Sequence, residues 1–173
     1  MEMIGMILVA LIPSTALIVL VYLFLKKQNE KEVNALSIQL KKERQTFFLE
    51  PRADAYQRIV LLMERITPHN LVMRIYSPEL TVQQFQSKLL DAIRQEFDHN
   101  VAQQIFISSN MWDHVKKSKE ETVKIVNIAA KSLGEDAKAM DLSAKIFEII
   151  SEVGELPTEI TIKGLKEEFQ RLF

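Results

Sequence analysis

The sequence predicts an all-α protein: an N-terminal transmembrane helix continuing into a juxtamembrane helix, then a small helical bundle. Three observations predict it. Met3 to Leu25 carries no charge and stops at Lys26-Lys27. Beyond it, apolar residues recur at helical spacings of three and four. Helix-start signals also recur, in Thr67-Pro68, in Thr81 with Gln84 three residues on, and in Pro157-Thr158. The expected organisation is an anchor at 1–25, a basic juxtamembrane helix or stalk at 26–49, and a helical domain at 50–173.

The anchor comes first. Its 23 uncharged residues, at about 1.5 Å of rise each, make a helix of about 35 Å, against a hydrocarbon core of about 30 Å. A cleaved signal peptide does not fit, because the only early side-chain charge is Glu2 and no small-x-small site follows the run. Lys26, Lys27 and Lys31 then read as a membrane stop in contact with lipid. By the positive-inside rule they leave the N-terminus outside and the C-terminal domain in the cytoplasm, a single-pass protein of a bacterial inner membrane. The absence of cysteine agrees with a reducing compartment.

Residues 26–44 hold six Lys/Arg and three Asp/Glu, while 45–173 hold 16 and 19. The expected partners are therefore the bilayer and a protein or second copy. The distal domain has no basic excess to meet a phosphate backbone, which argues against nucleic acid.

Val33, Leu36 and Leu40 give the stalk two heptad-like steps before Glu43 interrupts them. Pro51 opens a second helix with Tyr56, Ile59, Val60, Met63 and Ile66 on one face. Thr67-Pro68 starts a short segment to Tyr76, for which a strand over 71–76 is the alternative. Thr81 caps a long helix carrying Val82, Phe85, Leu89, Ile93 and Phe97. "IFIS" at 105–108 is a β-prone break, after which Ser109 or Asn110 caps a helix bearing Trp112, Val115, Val123, Val126 and Leu133. Asp136 to Val153, closed by Gly154, forms a helix apolar on two opposite faces. Pro157 begins a last one with Ile162, Leu165, Phe169 and Leu172, weakened by Gly164.

The stretches "AYQRIVLLMERITPHNLVMRI", "IRQEFDHNVAQQIFIS" and "KEETVKIVNIAA" resemble an uncharacterised family of short bacterial single-pass membrane proteins with a helical cytoplasmic domain. The resemblance implies an architecture and no reaction, and it carries no functional residue over to this chain. The b subunit of rotary ATP synthases, with one span and a long charged helix, is excluded by Pro51, Pro68, Pro78 and Pro157, which forbid one continuous stalk.

Familiar catalytic signatures are missing. Four glycines without the required spacing make no phosphate loop, no cysteine is present to ligate zinc, and Gly-x-Ser-x-Gly does not occur. Glu96-Phe97-Asp98-His99 has a Glu-x-x-His spacing, but a di-iron bundle needs two such motifs and two further glutamates. No cofactor or metal is expected. Glu96, Asn100, Gln103 and Gln104 extend an otherwise apolar stripe beside His99, and Lys119 interrupts another. They form a candidate polar network in which Glu96 pairs with Lys119, or Lys119 reaches past the core to water.

The sequence thus supports a non-catalytic membrane-anchored interaction or scaffold protein in an accessory or regulatory role. Its candidate partner face is Leu142, Ile146, Ile149 and Val153, covered either by another protein or by the C-terminal helix. The alternative is an enzyme or ligand sensor with a polar site around Glu96, His99, Asn100 and Lys119.

Overall fold

A computed structural model describes residues 2–134 and 136–171, with side chains described from residue 15 onward except Gln45. Among the described residues the chain is helical throughout: α1 Glu2–Ile66, α2 Pro68–Ile75, α3 Val82–Asn100, a 3-10 turn Val101–Ile105, α4 Ser109–Lys131, α5 Ala139–Val153 and α6 Pro157–Gln170. It divides into two compact units, Met1–Leu49 and Glu50–Phe173.

The first unit corrects the anchor. Among the described residues no helix is long and apolar enough to cross a membrane. Met3 to Ser14 of the expected span lie outside the residues whose side chains are described. The single-pass inner-membrane placement and its orientation are overturned with the span. Lys26, Lys27 and Lys31 stand exposed on a helix.

Helix α1 is continuous across Pro51, where a new helix was expected. Pro51 stands at the first turn of the segment that buries Ala55, Tyr56, Ile59, Met63 and Ile66. Within a continuous helix its missing N–H leaves one i→i−4 hydrogen bond unmade. The argument from Pro51 against a continuous stalk is corrected accordingly, while the breaks before Pro68 and Pro157 stand.

In the second unit α4 packs against α6, α3 and α5, and α2 packs against α3 and α5. Phe85, Leu89 and Ile93 of α3 meet Val115 and Val126 of α4, Leu142 and Ile146 of α5 and Leu165 of α6 in one core. Local chemistry sets the boundaries. Thr81 Oγ1 accepts from the Gln84 N–H at 3.3 Å and the Thr81 N–H donates to Gln84 Oε1 at 3.2 Å, the expected capping box. The cap of α4 is Ser108, one residue before those expected, its Oγ accepting from the Met111 N–H at 3.2 Å. Helix α5 begins at Ala139 instead of Asp136, because the Lys138 N–H donates to Asp141 Oδ2 at 2.8 Å and Lys138 forms an isolated bridge with Thr81. Gly154, at φ 78°, ends it in a conformation that L side chains avoid. Residues 71–75 are helix, so the strand alternative falls, and the break near 105 is a 3-10 turn.

Gly164 explains itself in α6. A Cβ there would lie 2.6 Å from Met111 Cε and 3.3 Å from its Sδ. The same α4–α6 seam holds small hydroxyl residues: Ser118 Oγ donates to the Pro157 carbonyl at 2.9 Å and lies 2.9 Å from Thr161 Oγ1. The two helices approach closely because their facing side chains are small. Gly164→Val is expected to force them apart and cost about 1–3 kcal/mol, read as a lower urea midpoint. Gly164→Ala should cost less, since it adds a better helix former against the movable end of Met111.

Candidate functional site

The expected polar network does not converge. Glu96 lies on α3 with its side chain 14% exposed, between two arginines from the last turns of α1 and α2. Arg65 Nη1 donates to Oε2 and Arg74 Nη1 to Oε1, both at 3.2 Å. Arg74 Nη2 also donates to the Arg65 carbonyl at 3.2 Å, placing a cation at the α1 C-terminus, where the helix dipole favours it. One carboxylate thus clamps the ends of two helices to a third. Each of its oxygens accepts from one guanidinium, so its charge is already paired.

Lys119 goes elsewhere. Its ammonium lies 4.2 Å from the centroid of the Phe97 ring, and Phe97 stacks on Trp112 at 5.5 Å. The Glu96–Lys119 pair is therefore replaced by a cation on an aromatic ring, its stem covering apolar surface. Asn100 Nδ2 donates to the Glu96 carbonyl at 2.8 Å, a contact along the helix. His99 is exposed. Gln103 sits half-buried in the 3-10 turn, its carbonyl accepting from the Phe106 N–H. Among the described residues no three His, Cys, Asp or Glu side chains could together hold a metal ion.

Between α3 and α4, Leu90, Ile93, Arg94, Phe97, Asp98, Lys119 and Val123 line a cleft of about 160 Å³. Small-molecule sites usually enclose about 300–1,000 Å³, so the cleft has room for a single side chain at most.

The partner face is reversed. Leu142 and Ile146 have no exposed surface and Ile149 packs against the core, whereas Val153, in the last turn, is 49% exposed. Helix α5 packs on α4, α3 and α2, so the chain itself covers this face. Leu172 lies outside the described residues. It is the other face that stays open. Met140 is 62% exposed and Ala144 is exposed, with Phe147 half-buried beside them. From α2, Met73 is 65% exposed. The two helices run side by side in opposite directions: the Tyr76 hydroxyl reaches Met140 Sδ at 4.0 Å and the His69 ring lies 5.3 Å from that of Phe147.

A second polar cluster escaped the sequence reading. Glu168 of α6 accepts from the Tyr56 hydroxyl, from the Ser108 hydroxyl and, at 3.1 Å, from the Ser108 N–H. Burial alone would raise its pKa. The hydrogen bonds from Ser108 and Tyr56, with Arg52 nearby, outweigh burial and hold the carboxyl below its ordinary range. Burial, then the hydrogen bond and charge of Glu168, push the Tyr56 hydroxyl up to about 12. Positions 56, 108 and 168 are distant in the chain, and only the cap at Ser108 carried a local signal.

The fold defines a helical protein in which two carboxylates, Glu96 and Glu168, join helices distant in the chain. The chain belongs to a family of unknown function, DUF7935, whose model matches residues 2–172. No curated protein and no solved structure matches it.

Proposed function

We propose that the protein is a non-catalytic interaction protein, an accessory or scaffold subunit that binds another protein's apolar helix along the α2/α5 face. One observation carries the reading: Met73 and Met140, each more than 60% exposed, stand on adjacent antiparallel helices with Ala144 between the two ends of the contact. Methionine thioethers are flexible and polarisable, and apolar grooves rich in them accept amphipathic helices. The groups of the ligand-sensor alternative give less support, since Glu96 is held by two arginines and Lys119 by Phe97.

The test is capture of partner by the full chain compared with Met140→Glu and Met73→Glu. Each substitution is expected to change unfolding free energy by no more than about 0.5 kcal/mol, because both positions are exposed. Each should abolish stoichiometric capture of a single protein that the parent chain retains. Equal capture by parent and variants contradicts the reading.

A further inference from the structure

The first unit carries a long uncovered apolar surface of its own. Val19, Tyr22, Val33, Leu36, Leu40 and Phe47 are each at least half exposed. With Lys26, Asn29 and Glu43 they fall on one stripe of α1, alternating steps of three and four over four heptads, the seam of a two-stranded coiled coil. A helix in water draws most of its stability from packing on an apolar face, and here the described apolar side chains of the stripe stand exposed.

We propose that this stripe pairs with the same stripe of a second copy, antiparallel, about a centre midway between Val33 and Leu36. Charge chooses the copy and the direction. The stripe holds one cation, Lys26, and one anion, Glu43. Glu43 accepts only a neutral hydrogen bond, from Gln39 at 3.0 Å, and neither residue enters an ion pair among the described residues. Antiparallel pairing sets Lys26 against Glu43 of the second copy twice over. It also sets Val33 against Leu36 at the centre and Tyr22 against Phe47 at both ends, with Asn29 facing Leu40. Parallel pairing would set Lys26 against Lys26 and Glu43 against Glu43. Lys27, Lys31, Lys41 and Lys42 fall off the stripe in either case.

The inference shares with the proposed function only the premise that open apolar helix is there to be covered. Sedimentation equilibrium of the full chain should give a dimer. Lys26→Glu and Glu43→Lys should each raise its dissociation constant roughly tenfold or more by creating like-charge layers, and the double reversal should restore it. The chain has no cysteine, so Tyr22→Cys and Phe47→Cys chains, mixed and oxidised, should crosslink to each other while neither crosslinks alone. A parent chain that stays monomeric overturns the inference, as does a Tyr22→Cys chain that crosslinks to itself, which requires parallel pairing. Because Met140→Glu leaves this stripe untouched, it should not change the dimer constant. Failure here is thereby distinct from failure of the α2/α5 face.

Discussion

Ile146→Glu is expected to abolish the cooperative unfolding transition of the unit Glu50–Phe173. Ile146 has no exposed surface and lies in the same core as Leu142, Phe85 and Val126. A carboxylate there either ionises without a partner or takes up a proton, and both are costly. The loss should reach about 4 kcal/mol or more, close to the whole stability of a domain at the lower end of the typical range of about 5–15 kcal/mol. Trp112, the single tryptophan, is 7% exposed within the same core, so its fluorescence in urea reports this unit. Ile146→Val, which removes one methylene, should cost only about 0.5–1.5 kcal/mol. A cooperative transition retained by Ile146→Glu would contradict the placement of α5.

Glu168→Ala should have the next largest effect. One carboxylate takes hydrogen bonds from Tyr56, from the Ser108 hydroxyl and from the Ser108 N–H, joining α6 to α1 and to the cap of α4. Its removal strands the buried Tyr56 hydroxyl, for an expected loss of about 2–4 kcal/mol. The pH dependence has two limbs. The Glu168 pKa is lowered from 4.5 in the folded state, so its contribution is complete above that value and fades as pH falls below it. The Tyr56 pKa is raised from 10.0 to about 12, so the folded state holds that proton more tightly. This contribution is complete below pH 10 and is lost between about 10 and 12. Urea midpoints read by Trp112 fluorescence should fall at both ends of the range, and Glu168→Ala should flatten the acid limb. An unchanged acid limb would show that Glu168 does not contribute it.

What the sequence made legible was local. The Thr81 capping box, the proline starts at Pro68 and Pro157 and the stop at Gly154 depend on residues within a turn of one another, and each appears in the fold. Burial along α3 was legible because a single apolar stripe leaves one choice of inner face. On α5 two stripes compete, and periodicity cannot rank them. The aliphatic one, Leu142 and Ile146, entered the core, while Met140 and Ala144 stayed outside. Ion pairs between distant elements were not legible either. Glu96 found Arg65 and Arg74, not Lys119, because the ends of α1 and α2 bring two guanidiniums to it. Hydropathy counted along the chain gave a full-length span at the N-terminus, whereas among the described residues no helix is long and apolar enough to cross a membrane. Pro51 misled because a proline inside a helix forgoes one ladder hydrogen bond without having to end it.

Hydrogen exchange of the full chain, free and with its captured protein bound, tests the central claim most directly. The account predicts new protection in α2 and α5, centred on the turns that carry Met73 and Met140, with the Glu96 and Lys119 region of α3 and α4 unchanged. Protection confined to α3 and α4 instead, around Phe97 and Lys119, would contradict it.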